Sequence, residues 1–269
     1  MHPILFTIGS FQLHTYGALG ALGFMAVVWI AMYRSRKIGI DPERVVDVIF
    51  WSSIVGLAGS RVVYIYQNPT QFHDLWTMLN IRTGGLVFYG ALLTGLPVGG
   101  LLMLRYKLPF YKLWDIFATG FPLGHAITRL GCFSAGCCHG RPTDVPWAVT
   151  FDAPGSVAEL HVPVHPTQLY EAAYLLVIFG LTTWFYGRKR FDGQVMLLYL
   201  SLYAVARSVN EIYRGDSTRG YFLEGLLGQT LSYSQGVSLV VAVAAFAIFL
   251  VGARKAASKG TPPQQGTGG

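Results

Sequence analysis

The densest group of reactive side chains in the sequence lies between residues 128 and 140, in the stretch TRLGCFSAGCCHG. It contains Arg129, His139 and all three cysteines of the chain, Cys132, Cys137 and Cys138. Thiols and imidazoles are metal ligands, two thiols can form a disulfide, and an arginine binds phosphate through two parallel N–H bonds. The stretch therefore raises three kinds of chemistry: metal binding, thiol oxidation and anion recognition.

The spacing of the cysteines favours a disulfide over a metal site. Zinc sites usually combine a C-x2–4-C pair with a second pair of ligands, whereas this pattern is C-x4-C-C-H with two adjacent cysteines. We therefore predict no metal site. In an oxidising compartment we expect a disulfide from Cys132 to either Cys137 or Cys138, which leaves one thiol unpaired.

A second polar group falls on one face of a predicted helix. The stretch YAVARSVNEIYRG places four side chains at intervals of four, four and three residues: Tyr203, Arg207, Glu211 and Arg214. Arg207 and Glu211 are close enough for an ion pair. That pair either only allows two charges to be buried or also borders a phosphate site.

The composition places these residues in a membrane protein. Hydrophobic residues make up 52% of the chain and charged residues 12%, against roughly 25% charged in soluble domains. Mainly apolar windows long enough to cross a bilayer occur at 17–33, 45–66, 85–104, 113–128, 168–186, 194–213 and 233–252. The runs lack the alternation of barrel strands. We predict an all-α polytopic membrane protein of about seven transmembrane helices.

The basic residues indicate the orientation of the chain. Thirteen of the 20 Lys and Arg residues follow the first, third, fifth and seventh predicted helices. The positive-inside rule places those connections in the cytoplasm, so we expect the amino terminus outside it and the carboxyl terminus inside. The net charge of +7 is therefore a topology signal and does not indicate a nucleic-acid partner.

The remaining basic residues are all arginines in or near the outer half: Arg61, Arg82, Arg129, Arg141, Arg207, Arg214 and Arg219. An arginine at membrane depth costs a few kcal/mol unless it is paired or hydrated, so orientation does not explain them. Because a guanidinium binds phosphate in two-pronged fashion, they suggest a phospholipid headgroup site.

The connections predict one membrane domain, residues 1–259, with a small extracytoplasmic cap. The proline-rich loop of about 130–166 should form an irregular or β-containing cap. The low-complexity segment 260–269 is predicted to be a disordered tail.

Six stretches occur in order along almost the whole chain: HTYG (14–17), AGSRVVY (58–64), GGLVFYG (84–90), TRLGCFSAGCCHGRP (128–142), HPTQLYEA (165–172) and ARSVNEIYR (206–214). Together they resemble the prolipoprotein diacylglyceryl transferase family. The resemblance implies transfer of the diacylglyceryl group of phosphatidylglycerol to the lipobox cysteine of a bacterial prolipoprotein. The products are a thioether and glycerol phosphate. The resemblance also implies no metal or soluble cofactor, partners that include the signal peptide and membrane lipids, and a place in the inner membrane.

The resemblance also implies roles for individual residues. Arg129 matches the arginine that holds phosphatidylglycerol, Arg207 and Glu211 match an essential pair, and Tyr16 matches another functional residue. Four further residues at motif positions are expected to bind phosphatidylglycerol together with Arg129 and Arg207: Arg61, Gly140, His165 and Glu171. Gln168 also occupies a motif position.

The chemistry of a thiol substrate adds a need for a proton acceptor. The thiol must lose its proton, and Glu211, His125 and His14 are candidate acceptors. His125 precedes Arg129 by four residues and shares its helix face; it is either a packed histidine or a group that reaches the same headgroup. His14 and Tyr16 are also consistent with interfacial positions at the start of the first helix.

Three positions depart from the family pattern. Tyr89, included among the catalytic candidates, stands where many members carry a histidine proposed as base, and a phenol is a poor base at neutral pH. Tyr89 either donates a hydrogen bond or is an interfacial tyrosine. Cys132 and Cys137 replace an asparagine and a glutamate, and Thr128 replaces a glycine.

Two other functions are compatible with these features. A phospholipid transporter or flippase would also use arginines among glycine-rich helices, but it needs polar groups through the full thickness. Stretches such as VVAVAAFAIFLV are almost wholly apolar, which argues against such a path. The second alternative is a relative that has lost transferase activity and only binds phospholipid, with which the Tyr89 change is compatible.

Overall fold

The computed structural model describes residues 3–9, 11–72, 74–80, 85–153, 156–215, 221–223 and 231–258. Two of the arginines predicted to lie in or near the outer half, Arg82 and Arg219, are outside the described residues, as is the predicted tail 260–269. The described chain is mainly helical. Its helices are α1 (Thr15–Lys37), α2 (Pro42–Gln67), α3 (Leu75–Leu79), α4 (Phe88–Arg105), α5 (Phe110–Ala135), α6 (Thr167–Tyr186), α7 (Gln194–Tyr213) and α8 (Tyr233–Ser258).

Six of these helices are long and apolar enough to cross a membrane: α1, α2, α4, α6, α7 and residues Gln235–Ser258 of α8. The predicted all-α polytopic membrane fold is confirmed. The predicted count of about seven includes α5, which has 26 residues but carries polar side chains such as Asp115, His125 and Arg129. Those side chains keep α5 out of the apolar set, and two of them, His125 and Arg129, belong to the candidate site described below.

The described chain divides into two compact units, one of residues 1–30 and 114–269 and one of residues 31–113. We call them the first and the second unit. The prediction of a single domain over 1–259 remains a prediction.

Glycines bring α2 and α4 of the second unit together. A Cβ atom on Gly90 would lie 2.5 Å from the carbonyl oxygen of Gly59, and one on Gly95 would lie 2.8 Å from that of Ser52. Neither distance is compatible with a side chain, so these glycines allow the two backbones to touch.

Glycines also allow close backbone contact in the first unit, where α1 crosses α5. A Cβ on Gly23 would lie 2.5 Å from the carbonyl oxygen of Gly124, and a Cβ on Gly131 would lie 3.1 Å from the Cα of Tyr16. Small residues on α5 therefore hold the start of α1 against the turns that carry Arg129.

A buried charge cluster fixes α5 to the start of α7. Asp115 is fully buried and accepts from Lys189 Nζ (2.9 Å) and from the backbone N–H groups of Gly193 (2.8 Å) and Val195 (2.9 Å). Burial lowers the pKa of Lys189, but the charges of Asp115 and Asp192 more than offset it, so this pKa lies above its ordinary value. The sequence did not predict this cluster, because its members are distant in the chain.

Three short antiparallel strand pairs and a 3-10 helix, Pro69–Gln71, complete the regular elements of the described residues. The strand pairs are β1 (Ile4–Ile8) with β2 (Phe11–His14), β3 (Val149–Thr150) with β4 (Pro163–Val164), and β5 (Tyr221–Leu223) with β6 (Leu231–Ser232). The β1–β2 hairpin was not predicted. Between α5 and α6 the described residues form no helix, as expected of the cap, and Phe151, Ala158 and Val164 make a small apolar core there.

Candidate active site

The candidate site lies where three helix ends of the first unit meet: the end of α5, the start of α6 and the end of α7. The Gly140 N–H donates to the carbonyl of His165 (2.8 Å), and the Arg141 N–H donates to the carbonyl of Tyr213 (2.9 Å). The segments that leave α5, enter α6 and leave α7 are thus hydrogen-bonded to one another. We call this region the site end.

Gly140 is the point of closest approach at the site end. A Cβ at this position would lie 2.5 Å from the Cβ of His165 and 2.6 Å from the carbonyl oxygen of Tyr213. No side chain fits between these segments. The structure therefore gives Gly140 a packing role, beside the lipid-site role predicted from its motif.

Arg129 on α5 forms an ion pair with Glu171 on α6. Its Nε lies 3.1 Å from Glu171 Oε2 and donates to His125 Nε2 at 3.2 Å, while His125 Nε2 lies 3.6 Å from Glu171 Oε1. The Glu171 side chain is 1% exposed and that of Arg129 is 17% exposed. A buried carboxylate therefore fixes a guanidinium that is still reachable from outside the protein.

A second arginine–carboxylate pair lies on α7. Arg207 Nη1 lies 2.5 Å from Glu211 Oε2, one turn apart on the same face, as the spacing predicts. Both side chains are largely buried. The predicted ion pair is confirmed.

Polar and aromatic side chains connect the two ion pairs. Asn210 on α7 is buried, and its Nδ2 lies 3.4 Å from Glu171 Oε2. The ring of Tyr203 lies 5.7 Å from that of His125 and 6.4 Å from that of Tyr174. The faces of α5, α6 and α7 that carry Arg129, Glu171 and Arg207 therefore belong to one network.

The remaining candidates of the first unit lie at its edges. Tyr16 begins α1 beside Gly131 and is half exposed. His14 is exposed at the end of β2. His165 is buried between the rings of Tyr170 and Tyr213, and burial together with the charge of Arg141 lowers the pKa of His165.

Arg61 belongs to the second unit, where its contacts are structural. It is buried and donates to the backbone carbonyls of Met78 (2.8 Å), Thr77 (2.8 Å), Asn80 (2.9 Å) and Gly85 (3.1 Å). A guanidinium surrounded by carbonyls holds the connection between α2 and α4 in place. The sequence motif gave no sign of this role.

Tyr89 also belongs to the second unit. It lies in the first turn of α4, 55% exposed, with its ring 6.0 Å from that of Phe88. Exposed aromatic rings of this kind are typical of residues near a membrane surface.

The cysteines are close together but not oxidised. All three are free thiols, so the disulfide expected from the sequence is not formed. Cys132 Sγ accepts a long hydrogen bond from Arg129 Nη1 at 3.8 Å.

The sequence did not predict two sets of contacts at the site end. Glu171, which was expected among the lipid-binding residues, is the ion-pair partner of Arg129, and its lipid contact remains a prediction. Thr167 and Gln168, fully buried in the first turn of α6, donate to the carbonyls of Cys138 (2.8 Å) and Cys137 (2.7 Å). The polar residues in HPTQLYEA were a signal, since a membrane helix rarely begins with several buried polar side chains.

Comparisons with known proteins agree with the motifs. The sequence profile described as "Prolipoprotein diacylglyceryl transferase" matches residues 3–251. A relative from Thermotoga maritima is 34% identical over 92% of this chain and 83% of its own length. Relatives from Legionella pneumophila (34% identical, 86% and 92%) and Clostridium tetani (29%, 93% and 97%) are similar. All three carry the name phosphatidylglycerol–prolipoprotein diacylglyceryl transferase.

Proposed function

Because the chain belongs to the prolipoprotein diacylglyceryl transferase family, we propose that it transfers the diacylglyceryl group of phosphatidylglycerol to a cysteine thiol of a prolipoprotein. The chain is thus a multi-pass membrane transferase. The observation that carries the proposed mechanism is the pair of linked arginine–carboxylate ion pairs at the site end.

The reaction makes two demands on the protein. A thiolate attacks the glyceryl carbon and forms a C–S bond, the C–O bond to phosphate breaks, and glycerol phosphate leaves. The thiol proton must go to a base, and the negative charge that grows on the leaving phosphate must be stabilised.

Arg129 and Arg207 meet the second demand. Both belong to one polar network in the first unit, and a guanidinium offers several N–H donors in a planar fork that matches phosphate oxygens. We assign both to the phosphate of the lipid. Held in place before the lipid binds, they stabilise the leaving group without reorganising.

Glu171 acts as a positioning residue and not as a lipid ligand. A buried carboxylate repels a phosphate, but its ion pair fixes the orientation of Arg129. His165 and Gly140 act in the same indirect way, because they join the ends of α5 and α6.

Glu211 is the proton acceptor that this arrangement favours. Its carboxylate is paired with Arg207, so a phosphate that binds Arg207 competes for the guanidinium and leaves the carboxylate able to accept a proton. His125 is less suited, because its Nε2 already accepts from Arg129. Tyr16 begins α1 beside Gly131 and His14 ends the preceding strand, so in this proposal both belong to the approach to Arg129 and not to the bond-forming step.

The acceptor thiol belongs to the lipobox cysteine of the signal peptide. In this proposal the site end is on the extracytoplasmic side of the membrane, because the basic residues follow the helix ends on the opposite side. Exported prolipoproteins arrive on that extracytoplasmic side. Arg61 and Tyr89 have no assigned role in bond formation in this proposal. Arg61 supports the second unit, and the exposed ring of Tyr89 is typical of a residue near a membrane surface.

One assay tests this function. The purified protein is incubated with phosphatidylglycerol and a lipobox peptide, and the products are analysed by mass spectrometry. Thioether-linked diacylglyceryl peptide and an equal amount of glycerol phosphate are expected. A peptide in which the lipobox cysteine is serine is the control. Lipid binding without either product would favour the lipid-binding alternative instead.

A further inference from the structure

Three thiols cluster beside the candidate site, and the proposed reaction uses none of them. The Sγ atoms of Cys132, Cys137 and Cys138 all lie within 4.8 Å of one another. Sulfur atoms around a tetrahedral zinc ion lie about 3.8 Å apart, since each Zn–S bond is about 2.3 Å long. The three sulfurs need therefore approach one another by at most about 1 Å to bind one ion.

The backbone explains how two adjacent cysteines reach the same point. In an extended chain, neighbouring side chains point to opposite sides, so two adjacent cysteines would not reach the same ion. Here Cys138 has φ 61° and Gly136 has φ 71°, both in the left-handed region. These two residues turn the chain back toward the last turn of α5, where the Cys137 N–H donates to the carbonyl of Cys132 at 3.2 Å.

The first turn of α6 holds this turn in place. The side chain of Thr167 donates to the carbonyl of Cys138, and that of Gln168 donates to the carbonyl of Cys137. A non-glycine residue keeps a left-handed conformation only when its surroundings fix it. Two buried donors do so here, and a loop that is already fixed loses little freedom when a ligand binds.

The surroundings also suit a thiolate cluster. Arg129 Nη1 lies 3.8 Å from Cys132 Sγ, and Arg214 lies beside the thiol of Cys138. Three thiolates and one divalent cation carry a net charge of about −1, which nearby arginines stabilise. Thiolate ligands select thiophilic ions such as Zn²⁺ over Mg²⁺ or Ca²⁺.

We propose that Cys132, Cys137 and Cys138 bind one thiophilic divalent cation of the Zn²⁺ class through three thiolates. Each thiol releases its proton to solvent on binding, and no electron is transferred. Among the described residues no other histidine, cysteine or carboxylate belongs to the cluster, so the fourth position is open to water or an added ligand. The ion joins Cys132, in the last turn of α5 and three residues from Arg129, to the segment that leads to Gly140.

Co²⁺ is the probe for this site, because sulfur-to-cobalt charge transfer gives an absorption band that reports thiolate ligands. The full chain is purified in detergent with a non-thiol reductant and without a polyhistidine tag, and then titrated. We expect one Co²⁺ per chain, displacement by Zn²⁺, and protection of all three thiols from alkylation. Each single Cys→Ser variant should weaken Co²⁺ binding by more than about 100-fold. Ser134→Ala, which removes a neighbouring half-buried hydroxyl that donates to the Leu130 carbonyl, should not change it.

If the Cys→Ser variants do not fold, measurements on the wild-type protein are sufficient to test whether the three thiols bind a metal ion. Absence of the charge-transfer band in reduced protein, or unchanged alkylation of the thiols with excess Zn²⁺, overturns the proposal. A Cys132–Cys137 or Cys132–Cys138 disulfide in the isolated protein, with no Co²⁺ bound after reduction, would assign the cluster to thiol oxidation. None of these measurements depends on transferase activity.

Discussion

At the scale of single residues, the two arginines should not tolerate lysine. Lysine keeps the charge of Arg129 and Arg207 but cannot make the two-pronged contact to phosphate. We expect Arg129→Lys and Arg207→Lys each to lower turnover at saturating lipid by about tenfold or more, since the contacts strengthen as phosphate leaves. The product assay described above measures this, with Arg188→Lys, an exposed arginine bonded to the Trp184 carbonyl, as the matched control. Turnover near wild type in a folded variant would remove that arginine from the site.

Variants of Glu211 and Glu171 should distinguish the proposed proton acceptor from the proposed positioning residue. Glu211→Gln removes the proposed proton acceptor, so turnover should be close to zero at every pH tested. Glu171→Gln keeps hydrogen bonding to Arg129 but loses the ion pair, so part of the turnover should remain, and Glu171→Asp should retain more than Glu171→Gln. pH profiles of the three variants provide the measurement. More activity in Glu211→Gln than in Glu171→Gln would reverse the two assignments.

At the scale of elements, the crossing of α1 and α5 depends on glycine. A Cβ on Gly124 would lie 2.5 Å from Val27 Cγ2 and 2.7 Å from the Gly23 carbonyl oxygen, whereas a Cβ on Gly180 in α6 meets nothing within 4 Å. Gly124→Ala should cost about 1–3 kcal/mol of stability, and Gly180→Ala should be neutral or slightly stabilising. Thermal unfolding of the two variants in detergent measures the difference. Equal unfolding temperatures would show that the helices can move apart at no cost.

The helices could be predicted from the sequence, but the contacts between them could not. Hydropathy alone marks α2, α6 and α8, because each contains a mainly apolar window long enough to cross a membrane. The Arg207–Glu211 pair was predictable because both residues lie on one helix, one turn apart. The Arg129–Glu171 pair joins two helices whose relative rotation no spacing rule specifies, so it was missed. The cysteine cluster was missed for a related reason: it depends on a left-handed backbone at Cys138, which L-residues seldom adopt.

At the scale of the whole molecule, the two ends of the chain should lie on opposite sides of the membrane. The basic residues of the odd-numbered connections predict this, because translocating them is unfavourable. Tags next to His2 and Gly269 should differ in protease sensitivity: cleavage from outside spheroplasts should remove only the first. Cleavage of both tags, or of neither, would contradict the odd number of crossings. A separate soluble cytoplasmic protein, which should resist the protease until the spheroplasts are lysed, is the control for intact spheroplasts.

The buried Asp115 cluster also limits how substrates travel. It fastens α5 to the beginning of α7, while the bond from Arg141 to Tyr213 fastens the chain beyond α5 to the end of α7. Because α5 and α7 are connected near both ends, they cannot separate from each other by a hinge motion at either end. The two helices cannot open between these points without breaking the hydrogen bonds, so we expect a lipid with two acyl chains, or a signal peptide, to enter from the bilayer along another flank of the first unit.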